Sequence, residues 1–181
     1  MRDTDRRVIY TKKLLRDSLM TLMEEKPISR ISVTELCKGA GVNRGTFYSH
    51  YHEPEDVLRN IEEELVNSVR DILDNLNDIS EIYHAITHAL YRNKEACRLL
   101  ISPNGDPNCI KHMLELSTQY FTQRTQTMLN IDPAALRYIH AFMFSGTVAV
   151  LEEWLVNDIG RTPEEIAEII IAMKKRLLEN L

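Results

Sequence analysis

The chain reads as an all-α protein of about nine helices, in which an N-terminal three-helix domain built on a helix-turn-helix precedes a larger helical domain. Three observations predict this. Apolar residues recur three and four positions apart through nearly all of the 181 residues, and no segment shows the strict alternation of a half-buried strand. The six prolines fall between those periodic segments, two of them, Pro54 and Pro163, just ahead of acidic residues, which is how a helix begins. The stretch Ser32–Tyr51, SVTELCKGAGVNRGTFYSHY, holds two short helical segments parted by glycines. A hydrophobic content of 44% and a charged content of 27% are ordinary for a globular protein with a buried core.

Residues 1–10 read as a basic arm leading into the first helix, Thr11 to Glu25, where Leu14, Leu15, Leu19, Leu22 and Met23 keep helical spacing. Lys26-Pro27 ends it, and Ile28 and Ile31 are expected to plug the core before the next element. Ser32 with Glu35 makes a capping box for the second helix, whose apolar side is Val33, Leu36 and Cys37. Gly39, Ala40 and Gly41 break that helix, and Val42 is expected to fill the angle. Asn43 caps a short third helix, on which Phe47 and Tyr51, four apart, face inward. Pro54, Glu55 and Asp56 open a fourth helix to about Asn75, with the stripe Val57, Leu58, Ile61, Leu65, Val69, Ile72 and Leu76. Ser80 is expected to cap a helix from Glu81 to about Tyr91, and Asn93 to open another to about Ile101. After the loop Ser102-Pro103-Asn104-Gly105, Asp106-Pro107 starts a long helix to about Asn130, and Asp132-Pro133 the next to about Asn157. Thr162-Pro163-Glu164-Glu165 combines a cap, a proline and a capping box for the last, which runs to about Glu179.

A helix, a glycine-containing turn and a short second helix is the arrangement whose second helix enters the DNA major groove, with its N-terminal residues at base edges. On that reading Arg44 reaches guanine or a phosphate through its forked guanidinium. Thr46 offers a hydroxyl to a phosphate or a methyl to thymine, and His50 meets a phosphate or a base. Thr34 meets the backbone, Gly45 lets the helix come close, and Asn43 stands at the same helix start. Arg6, Arg7, Lys12 and Lys13 cluster where they can touch phosphates. The charge distribution agrees. Residues 1–52 carry ten Lys/Arg against six Asp/Glu, a net +4, and the remainder twelve against twenty-one, a net −9. The overall −5 therefore covers a basic head on an acidic body, and double-stranded DNA is the partner expected of the head.

Residues 6–58 also resemble the DNA-binding domain of the TetR family of transcriptional regulators, through the spacing of IS-V-x-E-L to AGVNRGTFY to HY. The resemblance implies that Tyr48 contacts a phosphate. It implies a DNA-binding domain at 1–52, a helical domain for dimerisation and effector sensing at 53–181, and a linking role for the helix from Pro54. One departure concerns that helix: many members place a phosphate-binding lysine near its start, where this chain has Pro54 among Glu53, Glu55 and Asp56. GTVAVLEEWL followed by TPEEIAEII further resembles the C-terminal domain of a TetR subgroup seen in Firmicutes-type regulators. What is implied is a one-component repressor that binds a palindromic operator as a homodimer and is released or retuned by a small-molecule effector. The alternative is a helix-turn-helix regulator whose body is controlled by a protein partner.

The last two helices are unusually apolar. Phe142, Gly146 and Val150 in one, and Ile166, Ile169, Ile170, Met173 and Leu177 in the other, either pair with their copies in a second chain as a four-helix bundle or face the chain's own core. Periodicity does not separate these, and symmetric DNA sites favour the first. An effector pocket, implied by the family, would be walled by Met113, Leu116, Tyr120, Phe121, Tyr138, Phe142 and Met143, each of which serves equally as plain core. His84 and His88 stand four apart and Cys109 and His112 three apart, short of what a zinc site needs, so no metal and no cofactor is expected. No HExxH, P-loop, GxGxxG or GxSxG motif occurs, and catalysis is not expected. Cys37, Cys97 and Cys109 share no CxxC spacing and leave an odd count, which fits a cytoplasmic protein. MRDTDRR does not read as a signal peptide, and no apolar stretch is expected to approach the ~18–20 residues of a membrane span.

Overall fold

The structure, a computed structural model, describes residues 3–102, 104, 112, 113, 115, 116, 120, 132–157 and 160–178. Among the described residues it is all-helical. In chain order come α1 (Asp3–Glu25), a 3-10 turn (Ile28–Arg30), α2 (Val33–Ala40), α3 (Arg44–Tyr48), α4 (Pro54–Asn75), α5 (Ile79–Arg92), α6 (Lys94–Ile101), α7 (Pro133–Asn157) and α8 (Pro163–Leu178). The ninth expected helix, Asp106 to Asn130, lies largely outside the described residues, as does Cys109. The chain divides into two compact units, Met1–Glu64 with Leu99–Asp106, and Leu65–Arg98 with Pro107–Leu181. The division falls inside α4, past the boundary expected at residue 52.

In the first unit, α1 begins at Asp3 rather than Thr11, so Arg6 and Arg7 sit exposed on a helix and not on an extended arm. No proline or glycine interrupts Asp3–Tyr10, and nothing stops the helix from starting there. Leu15, Leu19 and Met23 of α1, Leu36 of α2 and Phe47 of α3 are wholly buried together with Val57, Leu58 and Ile61 of α4. Ile31 is buried as expected, while Ile28 and Val42 are only half-buried. α1 and α2 pack closely at Gly39, where a Cβ would lie 2.3 Å from Ser18 Oγ, itself donating to Leu36 O at 3.0 Å. Arg16 pairs with Glu64 at 2.6 Å, and the Tyr51 hydroxyl donates to Asn60 Oδ1 at 2.9 Å, tying α1 and the end of α3 to α4.

In the second unit, α8 packs against both α5 and α7. Its buried stripe is Ile166, Ala167 and Ile170, set against Ile82, Ala89 and Leu90 of α5 and Leu136, Met143, Trp154 and Leu155 of α7 within the same core. His88 meets Glu164 at 2.8 Å and His84 meets Glu168 at 3.0 Å, so the paired histidines of α5 face carboxylates of α8. α5 is capped by Asp78, whose Oδ1 accepts from Ser80 N at 2.9 Å and Glu81 N at 3.0 Å, and it starts at Ile79; Ser80 is not the cap. Asn93 precedes α6, but its side chain donates back to Ala89 O at 3.0 Å and so serves the end of α5. The capping box of α8 forms as read, with Thr162 N–H on Glu165 Oε2 at 2.9 Å and Glu165 N–H on Thr162 Oγ1 at 3.3 Å. Trp154 donates to Arg161 O at 2.9 Å and stacks on Tyr91 with ring centroids 5.6 Å apart.

α7 corrects one expectation. Ala134–Asn157, with a mean hydropathy of 1.4 in its most apolar stretch, is long and apolar enough to cross a membrane by length and composition alone. Arg137, Glu152 and Glu153 stand near its ends, and counting uninterrupted apolar residues hides how apolar the middle is. Only 17% of that stretch is buried, with Tyr138 and Phe142 79% and 70% exposed.

Candidate nucleic-acid interface and internal cavity

The short α3 is held in place by its neighbours rather than by its own length. The capping box before α2 is complete: Ser32 N–H donates to Glu35 Oε2 at 3.0 Å and Glu35 N–H to Ser32 Oγ at 3.2 Å. Lys26 Nζ, 2.6 Å from Glu35 Oε1, leads the contacts that hold that carboxyl down to about 2. Gly41 ends α2 in the left-handed region at φ +64°, which a side chain resists, and Val42 N–H donates to Cys37 O at 3.0 Å. Asn43 Oδ1 then accepts from Thr46 N–H at 2.8 Å and starts α3.

With Phe47 of α3 and Tyr51 just beyond it buried, the remaining side chains from Arg44 to His50 are turned outward. Arg44, Gly45 and Tyr48 are exposed, and Thr46 and His50 are half-exposed. Arg44 Nη2 donates to Tyr48 OH at 3.4 Å, and the guanidinium lies 5.8 Å from the Tyr48 ring centroid, so the two form one patch. Thr34 is exposed at the start of α2. Lys12 is exposed on α1, its Nζ 5.7 Å from the Tyr51 ring centroid. Asn43 differs in emphasis from its reading: its side-chain oxygen is occupied by the cap, so it positions α3. Gly45 has a structural reason too, because a Cβ there would lie 3.2 Å from Asn43 Oδ1. Tyr10, 63% exposed and one turn from Arg6, is a face residue the sequence reading passed over; its place outside the leucine stripe is the signal.

The start of α4 offers little to a phosphate. Asp56 Oδ2 accepts from His52 N–H at 2.7 Å and Glu53 N–H at 3.2 Å, and Arg59 donates to its other oxygen at 2.7 Å. These bonds, the one from His52 foremost, hold the Asp56 carboxyl below its usual range. The amides a phosphate would use are thus occupied by the chain's own anion.

The second unit encloses a cavity of about 120 Å³. Its wall includes Val69 and Leu73 of α4, Tyr83 and Leu90 of α5, Met143 and Thr147 of α7, and Lys174 of α8. Of the residues read as pocket wall, Met113, Tyr120 and Met143 line it; Leu116 is half-buried away from it, and Phe121 lies outside the described residues. Tyr138 and Phe142 do not line it, because α7 is apolar on two sides and they project from the open one. Tyr83, His140 and Lys174 were missed. For Lys174 the signal is its place four residues after Ile170 and eight after Ile166, on the buried stripe.

The open side of α7 and α8 forms a groove of about 420 Å³ whose wall includes Phe142, Gly146, Val150, Ile170, Met173 and Leu177, with Thr147, Lys174 and Arg176 as its polar members. Met173 and Ile169 are 58% and 37% exposed, whereas Ile166 and Ile170 are 2% exposed, so these last two belong to the unit's own core and only Ile170 reaches the groove floor. A Cβ on Gly146 would meet nothing within 4 Å.

A family model described as a transcriptional regulator C-terminal region matches residues 77–176. Over 55 residues the chain is 40% identical to the HTH-type transcriptional regulator EthR of Mycobacterium tuberculosis, covering 30% of this chain and 26% of that protein. Over 174 residues it is 28% identical to the uncharacterized HTH-type transcriptional regulator YxbF of Bacillus subtilis, covering 90% of this chain and 43% of that protein. The chain thus spans less than half the length of these curated relatives. A solved TetR transcriptional regulator from Streptococcus agalactiae shares the fold, with a TM-score of 0.67 at 23% identity over 94% of this chain and 97% of that one.

Proposed function

The chain belongs to the TetR family of transcriptional regulators, and from that premise we propose that it is a cytoplasmic, homodimeric repressor that binds a palindromic operator and is released or retuned by a small molecule in the body cavity. One observation carries the DNA reading: α3 buries Phe47, with Tyr51 buried just beyond its end, while turning Arg44 and Tyr48 outward as a joined pair. In this reading Arg44 meets guanine or a phosphate, Tyr48 a phosphate, and Thr46, His50, Gly45 and Thr34 lie along the same duplex, with Asn43 holding the helix start. Arg6, Arg7 and Lys12 add phosphate contacts from α1.

The exposed apolar groove of α7 and α8 supports pairing with a second copy, through Phe142, Gly146, Val150, Ile169, Met173 and Leu177. A mainly apolar cavity in the same unit supports a small ligand as the controlling signal over a protein partner. Sequencing of genomic fragments retained by the purified protein at two salt concentrations tests the proposal. Recovery of an inverted repeat that survives the higher salt supports it. Retention that is sequence-independent and lost with salt means phosphate contacts alone, and rejects specific reading.

A further inference from the structure

We propose that the cavity of the second unit takes a small monocarboxylate with a compact apolar body, of benzoate size, whose carboxylate pairs with the Lys174 ammonium. This rests on the reading of the body as a small-molecule sensor, and it names the ligand class.

Lys174, half-buried, continues the register of the buried stripe of α8 and lines both the cavity and the neighbouring groove; the cavity wall is mostly apolar, with Tyr83, Tyr120, His140 and Thr147 as its other polar members. An ammonium has three donors, and once out of water it needs them filled. Its Nζ makes one long hydrogen bond to Met143 O at 3.5 Å and lies 5.0 Å from the Tyr83 ring centroid. Among the described residues no carboxylate pairs with it. The acids of its own helix are engaged elsewhere: Glu164 with His88, Glu168 with His84 and Glu165 with Arg161. The hydroxyls of Tyr120 and Thr147 on the wall already donate, to Leu76 O at 3.2 Å and Met143 O at 2.7 Å. Among the described residues, then, Lys174 is the only lysine or arginine on the cavity wall and has no carboxylate partner, and desolvation draws its ammonium down to about 8.

A single negative charge completes that site. A second one would meet no further ammonium or guanidinium among the described residues of the wall, only the Tyr83 and Tyr120 hydroxyls and the His140 imidazole, which favours a monocarboxylate over a phosphate dianion. The rest of the ligand must be apolar, and the volume sets its size: about 120 Å³ is on the scale of the roughly 150 Å³ apolar cavity that takes benzene.

Calorimetric titration of the full chain at pH 7 with benzoate and with its neutral isostere benzyl alcohol tests this. The variants are Lys174→Met and Lys174→Gln, each checked for wild-type helicity and cooperative unfolding. Benzoate is expected to bind the wild type and to lose at least tenfold in both variants, while benzyl alcohol changes less than threefold. Repeating the wild-type titration at pH 8.5 in two buffers of different ionisation heat is expected to show proton uptake with benzoate, absent in both variants. Benzoate binding that ignores Lys174, or absence of benzoate binding to the wild type, overturns the site. DNA retention on the same samples separates the two readings. Lys174-dependent benzoate binding that leaves DNA affinity unchanged upholds the site and rejects the sensor. Loss of the site in a protein that still retains its palindrome leaves the regulator standing.

Discussion

At the scale of single residues, Arg44 and Tyr48 carry the DNA reading, and they do so without carrying the fold. Both are exposed, and their mutual contact is a long hydrogen bond of 3.4 Å beside a cation–ring approach. Arg44→Ala and Tyr48→Ala are each expected to weaken binding to the selected site by about 1–3 kcal/mol, read by fluorescence anisotropy, with little change in melting temperature. Wild-type affinity in both would remove α3 as the reading element. Lys174 makes a different kind of prediction. Its folded ammonium, drawn from 10.5 to about 8, binds fewer protons than the unfolded one between those values. Stability must therefore rise as pH climbs through that window and fall as pH returns toward 8. Urea unfolding at pH 7.5 and 9.5 should show a gain on the order of 1–2 kcal/mol that Lys174→Met lacks. A parallel response in the variant would place the lysine in water.

At the scale of elements, the head is a set of local devices and the body is not, which decides how much of each could be read in advance. Ser32 with Glu35, Asn43 with Thr46, and the inward pair Phe47 and Tyr51 each involve residues within four positions, so their spacing alone predicted them. α7 resisted because it is apolar on two sides, and such a helix gives periodicity no single phase to read. That is why Tyr138, read as pocket wall or core, and Phe142, read also as partner-facing, stand in the open, while Ile166, read as partner-facing or core, is core. The burial of Lys174 is set by α5 and α7, far away in sequence, and only its register with Ile166 and Ile170 hinted at it. The joint of α1 and α2 yields a sharper test. Gly39→Ala would place a Cβ 2.3 Å from Ser18 Oγ. A clash of this kind is expected to cost about 1–3 kcal/mol in urea unfolding despite alanine's better helix propensity. Ser18→Ala in the same background should recover part of the loss, whereas strictly additive effects would mean the two residues do not meet.

At the scale of the whole molecule, charge and apolar surface are sorted along the chain: ten of its 22 Lys/Arg lie in residues 1–52, and the exposed apolar stripe lies on α7 and α8. Pairing through that stripe would present two copies of α3 to one duplex. Gly146 isolates this idea, because a Cβ there meets nothing within 4 Å among the described residues, while a long side chain on the groove would block a facing helix. Gly146→Arg is expected to sediment as a folded monomer, with wild-type helicity and sharply reduced operator affinity. A dimeric Gly146→Arg would move the interface elsewhere. The most direct test of a dimer reading a symmetric site compares the selected palindrome with a single half-site of equal length, by titration at constant salt. Two chains per palindrome, with at least a hundredfold weaker binding to the half-site, is the result predicted here. One chain per duplex with equal affinity for both would contradict it.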